Sequence, residues 1–185
     1  MKWCRISEGG STYFGSIEDD RINLISDAPF GEYTYIGKSV PLEQSELLVP
    51  VIPNTFYAAG INYMDHVNKM AAITGRPGSP PDTADIGYRA NSALIAHGQS
   101  IVLPKEAGEK TQYEAELVVV IGKAGKRIQH DQVWDHIFGY TIGNDFSERT
   151  WQAEDRTLWR AKNTDTFKPM GPWIETDVDI NQMRT

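Results

Sequence analysis

The sequence predicts a mainly β protein of the α+β class. Short runs of β-branched and aromatic residues alternate with Gly, Asn and Asp turn signals along most of the 185 residues. The stretch 113–122 is apolar and β-branched from Leu117 onward, which is typical of a buried strand. Helical patterns are few and short, so strands are expected to form most of the core.

Two sections follow from this pattern. We expect a small N-terminal β-rich region without a catalytic cluster at residues 1–49 and the main domain at residues 50–185. In the main domain a Gly/Pro/Ser cluster at 74–82 predicts a loop between a helix and the following strands. The expected strands are 3–6, 12–17, 21–25, 56–59, 91–95, 100–104, 113–122, 140–143 and 173–176; the expected helices are 64–72, 131–138 and 146–152; a second, proline-bounded loop is expected at 167–172.

Composition excludes several function classes. The formal net charge of −7 and the pI of about 5.1 argue against nucleic acid or an anionic membrane as the main partner. Cys4 is the single cysteine, so an internal disulfide is impossible. The sequence has no run of roughly 18 apolar residues and no apolar leader, so we expect a cytoplasmic protein.

Glu114 and Glu116 are the first candidate site residues. Side chains at i and i+2 of a strand point to the same face, about 7 Å apart. Two carboxylates there repel each other, and a bound cation would turn the repulsion into attraction. The pattern alone leaves a second interpretation open, in which the strand begins at the surface and water solvates both acids.

Asp145 is the best candidate for a third oxygen ligand, because it ends a short predicted strand and precedes a predicted helix. Mg²⁺ prefers a few carboxylate oxygens and keeps several waters. Spacing leaves the alternative that Asp145 caps the following helix. The sequence offers no cysteine and histidine cluster of the kind that binds zinc.

Four ordered motifs resemble the fumarylacetoacetate hydrolase family. The resemblance covers about residues 50–185, and the first 49 resemble the small N-terminal region of many bacterial members. The motifs are Gly-Ile-Asn-Tyr-Met-Asp-His at 60–66 followed by Asn-Ser-Ala-Leu at 91–94, Tyr-Glu-Ala-Glu-Leu-Val-Val-Val-Ile-Gly-Lys at 113–123, Gly-Tyr-Thr-Ile-Gly-Asn-Asp-Phe-Ser-Glu-Arg at 139–149, and Lys-Asn-Thr-Asp-Thr-Phe-Lys-Pro-Met-Gly-Pro at 162–172.

The resemblance implies a mixed β-sandwich roll with the active site at its mouth, usually in a homodimer. It implies Mg²⁺, or Mn²⁺ or Ca²⁺ in some members, held by Glu114, Glu116 and Asp145. Lys162 matches the catalytic lysine that lies beside the metal ion. Its alternative is an ordinary surface lysine.

The resemblance also implies a small-molecule carboxylic acid as substrate. Gln152 and Arg149 match the motif after the metal aspartate. The alternative for Arg149 is a structural role, in which it forms an ion pair with an acidic side chain. Arg89 stands where many members have a lysine. Asn62 and Lys69 complete the expected substrate contacts.

His66 and Lys69 mark a departure from the family pattern. Many hydrolases of the family carry His-x-x-Glu on the lid, where the pair activates water as a general base. Here His66 is present and Lys69 stands in the glutamate position. Unless Asp65 or Asp82 substitutes, weaker water activation favours decarboxylation or isomerisation over hydrolysis. The alternative for His66 is that it is a solvent-exposed residue of the predicted helix without a catalytic role.

The family chain normally continues past this length with further core strands, so we expect a C-terminally incomplete chain. The alternative is that a second chain completes the fold. The main functional prediction is divalent-metal-dependent C–C hydrolysis of an acylpyruvate or fumarylpyruvate-like acid in aromatic or small-acid catabolism. One alternative is a decarboxylase or isomerase of 2-hydroxy-diene-dioate type. A second alternative is a non-catalytic binding protein of the same fold.

Overall fold

The computed structural model describes residues 1–75, 78–80 and 82–183 and confirms a mainly β protein with short helices. Arg76, Pro77 and Pro81 of the predicted loop lie outside the described residues. The helices are α1 (Met64–Thr74), α2 (Arg149–Glu154) and α3 (Trp159–Asn163). The strands are β1 (Lys2–Glu8), β2 (Ser11–Glu18), β3 (Arg21–Ile25), β4 (Tyr35–Pro41), β5 (Glu46–Leu47), β6 (Phe56–Gly60), β7 (Asp85–Arg89), β8 (Leu94–Ala96), β9 (Thr111–Gln112), β10 (Ala115–Ile121), β11 (Ile137–Asn144), β12 (Ser147–Glu148) and β13 (Lys168–Glu175).

The chain forms two compact units, one of Met1–Ile52 with Ser92–Thr185 and one of Pro53–Asn91. The first unit contains a nine-stranded sheet in the order β10-β11-β13-β1-β2-β3-β4, with β5 on β1 and β8 on β13. Its pairs are antiparallel except β8 with β13. Among the described helices, none is long and apolar enough to cross a membrane.

The N-terminal strands belong to the same sheet as the strands of the predicted main domain. Trp3 of β1 lies opposite Ile174 of β13, and the two side chains pack in one cluster with Ile25 and Val120. Apolar burial of this kind is the main stabilising contribution to a fold. The N-terminal section is therefore joined to the sheet by packing and by pairing, and a division at residue 49 stays a prediction.

The second unit consists of β6, α1 and β7. β6 and β7 pair antiparallel, with Phe56 opposite Arg89. Val67 of α1 is buried, at 4% exposure. The helix ends at Gly75, which has a φ of 67° and donates its N–H to Ala71 O, an end for which glycine is favoured.

Two predicted elements were wrong, and parts of others differ from the structure. Residues 100–104 form no strand: Val102 N–H bonds the Thr166 hydroxyl at 2.8 Å instead of a neighbouring strand. Residues 167–172 were predicted as a loop, yet β13 begins at Lys168 and pairs with β8 and β11. The helix-like segment predicted at 131–138 is a 3-10 helix over His130–His136. Asn91–Ala93, predicted as the start of a strand, is a 3-10 helix before β8, and Ser147–Glu148, predicted as helical, forms β12.

Candidate active site

Pairing of β10 with β11 brings Glu114 beside Asp145. Ala115 lies opposite Asn144, so the residues just outside the ladder, Glu114 and Asp145, are the next pair. Asp145 N–H donates to Glu114 O at 2.9 Å, and Glu114 N–H donates to Asn144 Oδ1 at 3.1 Å. Two carboxylates that face each other across strands repel, so this arrangement needs cations close by.

Glu116 follows on the same face of β10. Exposure alternates along this strand, with Glu114, Glu116 and Val118 less exposed than Ala115 and Leu117. Glu116 lies opposite Gly143, so no side chain from β11 stands across from its carboxylate. The prediction that one strand face carries both glutamates is consistent with this alternation.

Lys162 reaches both carboxylates from α3. Its Nζ lies 2.8 Å from Glu114 Oε2 and 2.7 Å from Asp145 Oδ2. The lysine is only 4% exposed, so the alternative of a surface lysine is wrong. The Asp155 carboxylate fixes the start of α3 by accepting the N–H groups of Arg160 at 2.6 Å and Ala161 at 3.4 Å.

Lys168, at the start of β13, is a second buried cation on Asp145. It is 2% exposed and places Nζ 2.9 Å from Asp145 Oδ1. The same Nζ donates to Phe146 O at 2.9 Å and Phe167 O at 3.0 Å. Sequence reasoning missed this residue because two prolines made the segment look like a loop; a lysine among apolar neighbours was the available signal.

Arg149 supplies a third cation, and its predicted pairing with an acid is confirmed. Arg149 Nη1 lies 2.6 Å from Glu114 Oε1 and donates to Gln152 Oε1 at 2.6 Å. Ser147 Oγ donates to Glu114 Oε1 at 3.3 Å. Gln152, a predicted substrate residue, is therefore positioned one contact away from a predicted metal ligand.

The alternative role of Asp145 as a helix cap is wrong, because Glu148 caps α2. The Glu148 carboxylate accepts the N–H groups of Thr150 and Trp151 and is fully buried. A cap satisfies backbone donors that the first turn leaves without partners. Asp145, which follows β11, contacts Lys162 and Lys168.

The remaining predicted site residues belong to the second unit. Asn62, His66 and Lys69 are exposed, and His66 and Lys69 lie on α1. Arg89 is half-buried at the end of β7 and donates to Tyr88 O at 3.0 Å. Asp65, the nearest acid in sequence to His66, is also exposed.

The donors at this site suit a hard divalent cation, because they are carboxylate oxygens. Glu114 and Asp145 already turn one oxygen each toward a single cation, the Lys162 ammonium. Within residues 1–75, 78–80 and 82–183, no group of three or more His, Cys, Asp and Glu side chains lies close enough to hold a metal ion. The metal-ligand assignment of Glu114, Glu116 and Asp145 stays a prediction.

Comparison with known proteins identifies the family. Residues 55–185 match the family described as fumarylacetoacetate (FAA) hydrolase C-terminal, and residues 1–50 match a family described as Rv2993c-like, N-terminal. The first match covers more than half of the chain. The chain therefore belongs to the fumarylacetoacetate hydrolase family, as its motifs predicted.

Relatives and solved structures agree with this assignment. Protein Rv2993c of Mycobacterium tuberculosis is 42% identical over 185 residues, covering 96% of this chain and 67% of the relative. The structure of 5-carboxymethyl-2-hydroxymuconate delta-isomerase from Mycobacterium smegmatis is similar with a TM-score of 0.84 and 37% identity, covering 97% of this chain and 68% of that chain.

A third likeness is to maleylpyruvate hydrolase from Sphingobium sp. SYK-6, solved in complex with manganese(II) and pyruvate. Its TM-score is 0.69 at 25% identity, covering 96% of this chain and 67% of that chain. Isomerase and hydrolase structures thus share this fold. The chain spans about two thirds of the length of each of these three proteins.

Proposed function

We propose that the chain is part of a divalent-metal-dependent enzyme that acts on a β-diketo or 2-oxo acid. The observation that carries the proposal is the convergence of Glu114 and Asp145 on the Lys162 ammonium at the end of a strand pair. Oxygen ligands beside a buried cation suit the binding of an anionic substrate through a hard metal ion. The manganese and pyruvate in the related maleylpyruvate hydrolase support the same choice.

The charges of the site also favour an anionic substrate. Glu114 and Asp145 carry two formal negative charges, and the three basic side chains that contact them, Lys162, Lys168 and Arg149, carry three positive charges. A divalent cation added to these five groups leaves a positive site, which attracts a carboxylate and a developing enolate.

The main candidate reaction is hydrolysis of the C–C bond in an acylpyruvate or fumarylpyruvate-like acid. A divalent cation, when bound, supplies Lewis acidity to the 2-oxo carboxylate. His66 takes a proton from water as the water oxygen bonds to the acyl carbonyl carbon. The C–C bond then breaks, and its electron pair stays on the pyruvate side as an enolate. The His66 imidazolium returns its proton to that carbon, which gives pyruvate, and the other product is a carboxylic acid.

Lys162 donates a hydrogen bond to the oxygen on which negative charge develops, and removal of that donor raises the barrier. The substrate contacts of the proposal are Asn62, Lys69, Arg89 and Gln152. A long acid with a second carboxylate suits the cationic Lys69 and Arg89. Each of these four roles is testable by a single substitution and measurement of KM.

A second candidate is isomerisation or decarboxylation of a 2-hydroxy-diene-dioate. Lys69 favours it, because a lysine cannot orient His66 and support its imidazolium as a lid glutamate would. The likeness to the Mycobacterium smegmatis isomerase favours it as well. Isomerisation moves a proton and adds no water, so it needs no general base for water.

The test is a substrate panel assayed with the purified protein, with and without Mg²⁺ or Mn²⁺. The panel contains acylpyruvates, fumarylpyruvate and a 2-hydroxy-diene-dioate. Hydrolysis releases pyruvate, decarboxylation releases CO₂, and isomerisation shifts the ultraviolet absorbance of the substrate. Asp145→Asn and Glu116→Gln are expected to lose at least about 100-fold in kcat/KM, as for loss of a group that stabilises transition-state charge. Glu109→Gln, at an exposed acid, is the control.

Metal-dependent turnover that Glu109→Gln keeps and Asp145→Asn loses supports the proposal. Turnover that is unchanged by the presence of the metal and by Asp145→Asn contradicts the proposal. Binding of Mn²⁺ and oxalate without turnover of any panel member favours a binding protein of the same fold. Pyruvate release identifies the hydrolase, CO₂ release identifies the decarboxylase, and an absorbance shift without either product identifies the isomerase.

The proposal includes a homodimer in the cytoplasm. The single cysteine of the sequence fits a reducing compartment. Light scattering coupled to size exclusion tests the assembly state, and a monomer at micromolar concentration contradicts it.

A further inference from the structure

Lys162 holds the same carboxylates that the proposed function assigns to a metal ion, and the inference below rests on that assignment. Its Nζ contacts Glu114 Oε2 at 2.8 Å and Asp145 Oδ2 at 2.7 Å. The lysine is 4% exposed, so the ammonium is shielded from bulk water and these two carboxylates are its counter-ions.

The other oxygen of each carboxylate is held by a different partner. Asp145 Oδ1 lies 2.9 Å from Lys168 Nζ. Glu114 Oε1 lies 2.6 Å from Arg149 Nη1 and accepts from Ser147 Oγ at 3.3 Å. Each carboxylate is thereby oriented by one oxygen and turns the other toward Lys162.

The two lysines on Asp145 are bonded differently. Lys168 donates to two backbone carbonyl groups as well as facing Asp145, so its removal would leave buried acceptors without this donor. Lys162 uses two of its three hydrogens, both on carboxylates. Departure of its ammonium leaves two carboxylate oxygens without this donor and no neutral acceptor, and another cation can take its place there.

We propose that Lys162 is an exchangeable counter-ion whose ammonium competes with a divalent metal ion for Glu114 Oε2 and Asp145 Oδ2. A dication bound to the same two oxygens repels an ammonium that stands within hydrogen-bond distance of both. Metal binding therefore displaces the ammonium from the carboxylates. The displaced ammonium is then available to the substrate carboxylate or oxyanion.

This competition predicts the order of events at the site. Metal loading comes first, because it frees the group that holds the substrate anion. In the wild-type protein, an anion such as oxalate is therefore expected to bind more tightly after metal binding than before it. In Lys162→Met this gain in oxalate affinity should be smaller, because the ammonium no longer contributes to it. Lys168 stays in place throughout, since its backbone bonds do not depend on the metal.

The test is a Mn²⁺ titration of the whole protein, followed by the electron paramagnetic resonance signal of free Mn²⁺. Lys162→Met removes the competing charge while keeping a long side chain, and it is expected to bind Mn²⁺ about 5- to 150-fold more tightly than wild type, the usual range of coupling between two ligands. Lys126→Met removes the same charge from an exposed position and is expected to leave the affinity unchanged.

Unchanged or weaker Mn²⁺ binding by Lys162→Met, with measurable binding by wild type, overturns the inference and leaves the proposed metal site standing. If wild type, Lys162→Met and Lys126→Met all fail to bind Mn²⁺, the inference and the proposed metal site are both overturned.

Unfolding temperature is the second measurement, because Lys162→Met can be unstable without a cation. Mn²⁺ should then raise the unfolding temperature of the variant more than that of wild type, and an equal or smaller rise overturns the inference. Lys162→Gln, which keeps a donor without the charge, should bind Mn²⁺ more tightly than wild type too.

Discussion

Substitution of Lys168 by methionine tests the ion cluster through stability alone. Lys168 is 2% exposed and satisfies three acceptors, namely Asp145 Oδ1, Phe146 O and Phe167 O, at 2.9, 2.9 and 3.0 Å. Methionine fills a similar volume and donates nothing. The variant therefore leaves two backbone carbonyl groups without this donor and leaves Asp145 with one cation fewer.

The expected cost follows from these contacts. Removal of one member of a buried ion pair typically costs about 3–5 kcal/mol, because the remaining charge stays buried. For a chain of 185 residues, each kcal/mol lowers the unfolding temperature by about 2–4 °C. Lys168→Met is thus expected to lower the unfolding temperature by roughly 6–20 °C.

The assay is urea denaturation followed by tryptophan fluorescence, for which the five tryptophans are suitable probes. Lys38→Met is the matched control: its Nζ lies 2.8 Å from Glu8 Oε1 with the lysine side chain 48% exposed. Surface pairs of this kind contribute about 0–1 kcal/mol. If Lys168→Met costs no more than Lys38→Met, the assignment of Lys168 as a buried counter-ion is wrong.

A double-mutant cycle with Asp145→Asn separates the ion pair from the backbone hydrogen bonds. Asparagine needs no counter-ion, so the double variant should lose less stability than the sum of the two single variants. Coupling of about 0.5–3 kcal/mol is the usual range for residues in direct contact. Additive losses would show that Lys168 acts through the two carbonyl groups and not through Asp145.

Three further predictions concern other parts of the first unit. Glu148→Ala removes the cap of α2 and is expected to cost about 1–2 kcal/mol in urea denaturation, whereas Glu148→Gln keeps an acceptor and should cost less. Gly15→Ala should cost about 1–3 kcal/mol, because its Cβ would lie 2.8 Å from Asn23 O, while Gly31→Ala, with open space around it, should be neutral. Burial raises the pKa of the Cys4 thiol to about 12, so at pH 8 Cys4 should react with a thiol reagent only after unfolding, and rapid labelling of the native protein would contradict its burial.

The pleat of β10 was the part of the site that the sequence could predict. Period-two alternation places Glu114 and Glu116 on one face without any knowledge of the rest of the chain. The position of Asp145 after a short strand predicted a ligand at a strand end. That Glu114 and Asp145 meet required the register of β10 with β11, which depends on long-range pairing and could not be deduced from local pattern.

The lysines were harder to place, for two different physical reasons. Lys162 was identified from a family motif, and the sequence predicted no helix around it. α3 is only five residues long, and the acceptor of the Arg160 N–H is the side chain of Asp155, which precedes the helix. Lys168 was hidden because Pro169 and Pro172 lack the N–H that a strand ladder uses, which argues against a strand. Pairing of β13 with strands on both sides outweighs that local preference.

The register that creates the site also explains why it needs so many cations. Ala115 opposite Asn144 makes Glu114 and Asp145 neighbours across the strands, where two like charges destabilise the pair. Lys168 and Arg149 each hold an outer oxygen of one carboxylate, and Lys162 holds the inner oxygen of both. A fold that required only neutrality could have used asparagine and glutamine at these positions. Retention of two facing carboxylates, with one cation bonded to carboxylates alone, is the arrangement expected where that cation gives way to a metal ion.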